Sequence, residues 1–153
     1  MSIEVNAPQT IRLSGGGPVV NTIVAGAAIK PGMLIEKYEN AGVLNWRPAG
    51  TAANVQPAFV ALEQDEMNLT VDDLYAIGDL VKAWAFQPGS TFWGLVPSGQ
   101  NVTQGDPLQC DGTGKLKEAT SQAASAGVAK FQALEGSGGA VVVDTRLRTE
   151  VVA

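Results

Sequence analysis

The sequence predicts an all-β single domain, built as a small barrel or sandwich and carrying an extended N-terminal arm. Hydrophobic residues make up 45% of the 153 residues and charged residues 16%, which is enough apolar material for one packed core. The 18 glycines and 8 prolines follow no collagen period and are typical of short strands joined by tight turns. We assign residues 1–18 to the arm and residues 19–153 to the β domain.

The N-terminal segment differs in pattern from the rest of the chain. Ile3 and Val5, and later Ile11 and Leu13, alternate with polar residues, and a glycine run followed by proline closes the segment. This pattern suits an edge strand, an arm that adds a strand to a neighbouring protein, or a frayed terminus. We take the four apolar residues as candidate contacts with a protein partner.

The domain itself shows a series of short β-branched or alternating segments. The segment at residues 63–77 has two interpretations: a short helix that opens with a capping box at Thr70 and ends at Gly78, or a long surface loop. A glycine precedes several of the strands, which favours a closed or nearly closed barrel over an open sheet. Strands are predicted at residues 19–24, 33–38, 43–47, 58–62, 80–86, 91–96, 108–110, 115–117, 128–134 and 140–148.

Two β-hairpins are predicted from turn chemistry. Pro88 and Gly89 occupy the central positions of a type II turn, so residues 80–86 and 91–96 are expected to pair, with Trp84 opposite Trp93. The sequence DGTG at residues 111–114 predicts a second hairpin.

The residue inventory argues against an enzyme. The chain has no histidine, which removes the commonest general base, the Ser-His-Asp arrangement and most zinc sites. Cys110 therefore lacks an activating histidine and is expected to be a small apolar residue. Residues 109–116 fail the phosphate-loop pattern, since its first glycine and its Ser/Thr are missing. We expect no catalytic residue, no cofactor and no metal.

One acidic segment leaves an alternative open. Asp65, Glu66, Asp72 and Asp73 could serve a carboxylate-dependent hydrolase or hold a hard cation. They lack EF-hand spacing, and a solvated acidic loop is the preferred interpretation.

Charge and hydropathy limit the partners and the compartment. The net charge is −5, and the ten basic residues are scattered, whereas duplex binding needs a clustered basic surface. We therefore expect no nucleic acid partner. The chain begins without the features of a signal peptide and lacks an apolar run of the ~20 residues that a membrane helix needs. We expect a soluble protein that is made in the cytoplasm and does not contact a membrane.

The tryptophans are the remaining candidates for binding. Trp46, Trp84 and Trp93 are large aromatic residues, which dominate protein cores and interface hot spots alike. For each of them we expect the core, with contact to a protein partner as the alternative.

An ordered set of turn-and-strand motifs resembles the decoration (cement) proteins of tailed-bacteriophage capsids. The similarity covers roughly residues 19–150 and rests on turns and strands rather than on a catalytic signature. The motifs are residues 29–34 (IKPGML), 75–84 (YAIGDLVKAW), 88–93 (PGSTFW), 102–108 (VTQGDPL), 114–116 (GKL), 128–129 and 141–148.

The resemblance implies a structural function in the virion. It implies a β-barrel-like protein that forms homo-oligomers, often trimers, on the outer capsid surface, where it binds the major capsid protein and stabilises the lattice of coat subunits. Residues 1–18 would correspond to the arm that such proteins use for the capsid contact. The alternative is a tail or adhesion component that binds a host glycan through exposed tryptophans.

Overall fold

The computed structural model of the chain describes residues 10–50, 58–119 and 131–152. Within these ranges the chain forms twelve short strands and one turn of 3₁₀ helix, at Asp65–Met67. The strands are β1 (Arg12–Ser14), β2 (Val19–Val20), β3 (Val24–Ala25), β4 (Leu34–Asn40), β5 (Val43–Pro48), β6 (Phe59–Ala61), β7 (Ala83–Ala85), β8 (Thr91–Val96), β9 (Pro107–Cys110), β10 (Leu116–Glu118), β11 (Phe131–Ala133) and β12 (Thr145–Val151).

These strands form two six-stranded sheets. The first sheet has the order β1-β8-β12-β11-β9-β10, and the second has the order β2-β7-β6-β4-β5-β3. Every strand pair is antiparallel except β3 with β5. The all-β prediction and its sandwich alternative are confirmed, whereas the closed barrel that the glycine positions favoured is wrong.

The inner core lies between the two sheets and draws side chains from both. Leu34, Val60 and Trp84 of the second sheet belong to the same buried cluster as residues of the first sheet. In this cluster Phe86 stacks on Phe92, with ring centroids 5.8 Å apart, and Phe131 meets both rings edge to face. Such aromatic contacts stabilise a core beyond the area they bury.

The second sheet is apolar on its other face as well. Ala61 and Ala83, neighbours of the inward-facing Val60 and Trp84, join a separate buried cluster on that outer face. The segments that cover it meet in a β-bridge between Ile29 and Tyr75. Because both faces are covered, the strands of this sheet have apolar residues at consecutive positions instead of a strict alternation.

The first sheet curls so that its edge strand β10 approaches β8, the strand next to the opposite edge. Leu116 of β10 lies over Gly94 of β8, where a Cβ would collide with Leu116 Cδ1 and come within 3.2 Å of Thr149 Oγ1. A glycine inside a strand commonly marks such a close approach.

A four-residue turn recurs before strands and bridges, at residues 30–33, 76–79 and 103–106. In each turn the first carbonyl accepts from the fourth N–H, and the glycine at the third position has a φ between +91° and +96°. That conformation favours glycine, as in a type II turn. These glycines therefore form turns and not the corners of a barrel.

The predicted hairpin through residues 87–90 is wrong, although its turn forms. Ser90 N–H donates to the Gln87 carbonyl at 3.0 Å, and Gly89 has a positive φ. The turn passes the chain from β7 in the second sheet to β8 in the first, so Trp84 and Trp93 are not paired. Cross-strand matching of aromatics gave the wrong partners because both rings are buried in a core shared by two sheets.

Other predictions differ from the structure in extent. No helix opens at Thr70: the Asp73 side chain accepts from the Thr70 N–H, but the chain then continues as a loop. Residues 19–24 form β2 and β3 instead of one strand, and the last strand begins at Thr145. The predicted strands at 33–38, 43–47 and 58–62 and the hairpin of β9 with β10 are confirmed.

Candidate interaction surface

The predicted arm residues lie in different environments. Ile3 and Val5 fall outside the described residues. Ile11 is fully buried in the inner core, and Leu13 is 41% exposed on β1 at the edge of the first sheet. The structure shows β1 as an edge strand, which was one of the three alternatives. The arm stays a prediction, and it now concerns only the N-terminal residues outside the described range.

Two of the three tryptophans lie in the inner core. Trp84 is fully buried, and its indole Nε1–H donates to the Gly16 carbonyl at 3.1 Å, while the Arg12 guanidinium stacks 4.8 Å above its ring. The segment that follows β1 therefore covers this ring. Trp93 is 8% exposed, and its backbone N–H donates to the Ile11 carbonyl.

Trp46 lies in the outer core of the second sheet. It is fully buried, with its ring edge-on to Phe59 at 4.8 Å and Lys37 Nζ 5.6 Å from its centroid. All three tryptophans therefore lie in a core, as expected from the sequence. Their contact with a partner stays a prediction, and these rings have little surface free for it.

The acidic segment is occupied by structural contacts. Asp65 pairs with Lys82, and Asp73 accepts hydrogen bonds from Thr70. Asp72 pairs with Arg146 at 2.9 Å, and the hydrogen bond from that guanidinium holds the pKa of Asp72 below its usual range. A general acid needs a raised pKa, so this carboxylate is unsuited to that role.

Three parts of the described surface bring apolar side chains together, and we name them by place. The hairpin tip is Val43 and Leu44, at the turn between β4 and β5. The valine loop is Val142 and Val143, just before β12, with Val142 89% exposed. The apolar cleft, near the 3₁₀ helix, is lined by Gln64, Met67, Leu69, Tyr75, Gly78, Asp79 and Leu80.

Sequence reasoning missed all three groups. The alternation through residues 140–148 predicted one strand that includes both valines, but the chain enters the sheet only at Thr145. Ile77, next to the cleft residue Gly78, is 74% exposed at the second position of a four-residue turn. The signal available in the sequence was the glycine-rich run at residues 136–139, which marks a loop before the valines.

Two structural findings concern the described ranges alone. Among these residues, no three His, Cys, Asp or Glu side chains are grouped in a way that could hold a metal ion. The described part of the chain also contains no helix with the length and hydropathy needed to cross a bilayer.

Comparison with known proteins yields a likeness of fold. No protein-family model matches the chain, and no curated protein matches it in sequence. Among solved structures, the chain is similar to the N base of the head fiber gp8.5 of bacteriophage phi29, with a TM-score of 0.50 and 12% sequence identity. The similarity covers 90% of this chain and 93% of the head fiber chain. At this identity the likeness concerns the β-sandwich architecture.

Proposed function

We propose that the protein is a structural component of a phage virion, which binds the outer surface of the capsid and stabilises the lattice of coat subunits. The observation that carries the proposal is the shared fold with a phage head fiber base over nearly the full length of both chains. The turn-and-strand motifs that resemble capsid decoration proteins support the same function.

In this proposal the protein acts by binding and not by catalysis. Among the candidates for acid–base chemistry are three carboxylates, and each has a structural contact. Asp65 and Asp72 form ion pairs, and Asp73 accepts a hydrogen bond within a turn. The valine loop supplies exposed apolar contact surface of the kind found at protein interfaces. The partner is the major capsid protein, and the favoured assembly is a homotrimer, whose repeated contacts add up through avidity.

The glycan-binding alternative loses its predicted residues. Stacking of sugars needs exposed aromatic faces, and Trp46, Trp84 and Trp93 are buried. We therefore retain the capsid proposal alone.

The test is reconstitution on shells that lack the protein, prepared from the phage whose genome encodes it. Purified protein should co-sediment with these shells, raise their resistance to heat, and appear by electron microscopy as repeated density on the outer surface. A folded protein that does not co-sediment with the shells would refute the proposal.

The structure also decides which truncation should be used to test the arm. Removal of residues 1–18 would delete β1 and the buried Ile11, and so would damage the domain itself. Deletion of residues 2–9 leaves both in place. If the arm contributes to attachment, this shorter deletion should weaken co-sedimentation while leaving the thermal melting of the free protein unchanged.

A further inference from the structure

The apolar cleft has aliphatic walls, and a further aliphatic side chain is exposed beside it. Met67 is 68% exposed and Leu80 is 50% exposed, and both line the cleft. Ile77, next to the lining residue Gly78, is 74% exposed. The volume of the cleft is about 270 Å³, below the roughly 300–1,000 Å³ that is usual for small-molecule sites. Its size therefore fits one long side chain of a partner protein better than a cofactor.

The polar side chains that line the cleft offer acceptors more than donors. The side-chain amide of Gln64 donates to the Leu80 carbonyl at 3.2 Å, and its buried Oε1 has no hydrogen-bond partner among the described residues. The hydroxyl proton of Tyr75 is used by the Leu62 carbonyl at 2.6 Å. The carboxylate of Asp79 can only accept. A ligand group that brings hydrogen-bond donors therefore matches this lining.

Charge favours a donor that is also a cation. Among the described residues that line the cleft, Asp79 alone is charged, and the backbone N–H of Ala76 donates to its Oδ2 at 2.9 Å. Residues 63–79 contain six acidic residues and no basic one. The nearest basic residue that follows, Lys82, pairs with Asp65. A surface with charge of one sign attracts a partner of the opposite sign.

Lysine combines the two features that this cleft requires. Its aliphatic stem packs along apolar surface while its ammonium group stays near water. The ammonium is a compact charge that can bind a single carboxylate oxygen, whereas the guanidinium of arginine favours both oxygens at once. One oxygen of Asp79 already accepts from Ala76, so the site suits lysine better than arginine.

We propose that the apolar cleft binds a lysine side chain that a partner protein presents, with the stem of the lysine against Met67 and Leu80 and its ammonium at the carboxylate of Asp79. Aliphatic residues beside that lysine in the partner would cover Ile77, which burial stabilises. The inference goes beyond the proposed function, since it assigns a second binding surface and does not require the partner to be a coat subunit.

Two blocked tripeptides test the proposal by NMR of the full chain labelled with ¹³C at its methionine methyl groups. The probe is acetyl-Leu-Lys-Leu-amide, and the control is the same peptide with norleucine, which lacks only the ammonium group of lysine. The lysine peptide should shift the Met67 resonance in a saturable way and bind about fivefold more tightly than the norleucine peptide. This difference should shrink in about 1 M salt. The Met33 resonance should stay unchanged, because Met33 packs against the outer core and does not line the cleft.

A variant of Asp79 separates the charge from the fold. Asp79→Asn keeps an oxygen that can accept from the Ala76 N–H, so thermal melting should be unchanged. It should abolish the preference for lysine and leave the binding of the norleucine peptide as it was. Asp73→Asn is the matched control, since Asp73 also accepts a backbone N–H within a turn, from Thr70, but does not line the cleft. It should keep the preference for lysine.

Three results would overturn the proposal. The first is equal affinity for the two peptides, or a preference for lysine that survives in Asp79→Asn. The second is a shift of the Met33 resonance as large as that of Met67, because the peptide would then not select the cleft. The third is binding of free n-butylammonium as tight as that of the lysine peptide, which would assign the cleft to a small amine instead of a protein side chain.

Discussion

The guanidinium of Arg146 lies 2.9 Å from the carboxylate of Asp72, although Arg146 belongs to β12 of the first sheet and Asp72 to the segment between the 3₁₀ helix and β7. The same guanidinium donates to the carbonyls of Pro31 and Val71. Arg146 is nearly fully buried, whereas the side chain of Asp72 is 75% exposed. One side chain thus connects the first sheet to two segments that pack beside the second.

We expect Arg146 to stabilise the fold mainly through its hydrogen bonds to the two carbonyls and much less through its ion pair with Asp72. Arg146→Met should lower the free energy of unfolding by about 2–4 kcal/mol, because the buried carbonyls of Pro31 and Val71 lose their donor. Asp72→Asn should cost less than about 1 kcal/mol, since the pair is screened by water on the Asp72 side. Urea denaturation monitored by tryptophan fluorescence measures both.

Arg148→Met is the matched control for this pair of variants. Arg148 is on the same strand, is half exposed and pairs with Glu135 at 3.1 Å. It should cost at most about 1 kcal/mol. Equal losses for the Arg146 and Arg148 variants would contradict the anchoring role of Arg146.

The ion pairs of Asp72 and Asp144 predict a loss of stability in acid. Hydrogen bonds from Arg146 and Lys115 lower the pKa of Asp72 and Asp144, respectively, below the usual range. A carboxylate with a folded pKa below its unfolded pKa stabilises the fold above the unfolded value and loses that effect as the pH falls through the folded value. Stability should therefore decrease below about pH 4.

The double variant Asp72→Asn/Asp144→Asn should lose less stability than the parent between pH 5 and pH 3, as measured by thermal melting across that range. Glu39→Gln, on the exposed hairpin of β4 and β5, controls for the removal of a charge. Parallel pH profiles for the parent and the double variant would rule out these two groups as the source of the acid effect.

Gly94 should not tolerate a methyl group. Gly94→Ala would drive a Cβ into Leu116 and toward Thr149 Oγ1, both in the buried part of the first sheet. We expect a loss of about 1–3 kcal/mol in the free energy of unfolding. Adding Leu116→Ala should recover part of this loss relative to the sum of the two single variants, which a double-mutant cycle measures.

Gly16→Ala is the control for Gly94→Ala. The nearest atom that its Cβ would meet is Gln87 Oε1 at 3.6 Å, an ordinary contact distance. It should change stability by less than about 0.5 kcal/mol. A Gly94→Ala variant that is as stable as Gly16→Ala would mean that β10 does not approach β8 as described.

The sequence predicted strands better than it predicted their partners. The strands at β4 and β5 and the β9–β10 hairpin were predicted from local signals, which act over a few residues. The turn at residues 87–90 has the same local signals, yet it connects two different sheets. Pairing with strands distant in sequence decides this outcome, since β7 pairs with β2 and β6, and β8 pairs with β1 and β12. The alternation of apolar and polar residues at 140–148 also failed to locate the valine loop. Such alternation shows which residues would share a face of a strand, but it does not show whether a neighbouring strand is there to pair with.

Burial of the tryptophans predicts a spectroscopic result. With Trp46 and Trp84 fully buried and Trp93 8% exposed, the native emission should be blue-shifted and resistant to quenching by iodide. Unfolding in urea should shift the emission to the red and restore quenching. A native protein that iodide quenches as strongly as the unfolded chain would show that a tryptophan is on the surface, and would reopen the glycan alternative.

The valine loop is the part of the surface that we expect to contact the capsid. Val142 and Val143 are 89% and 64% exposed. The Gly99 N–H donates to the Val141 carbonyl at 2.7 Å, and Lys115 pairs with Asp144 at 2.8 Å. The loop is therefore held at both ends before binding, which lowers the entropy that binding must offset.

Replacing the two valines should separate binding from folding. Val142→Ser/Val143→Ser should reduce affinity for shells by about tenfold or more. Each valine that binding buries contributes roughly 1.5 kcal/mol or more, and about 1.4 kcal/mol corresponds to a factor of ten in affinity. Melting of the free protein should stay unchanged because both side chains are exposed. Val43→Ser/Leu44→Ser, at the hairpin tip, removes a comparable apolar pair and is the matched control. If the control loses affinity while the valine loop variant binds normally, the contact lies at the hairpin tip instead.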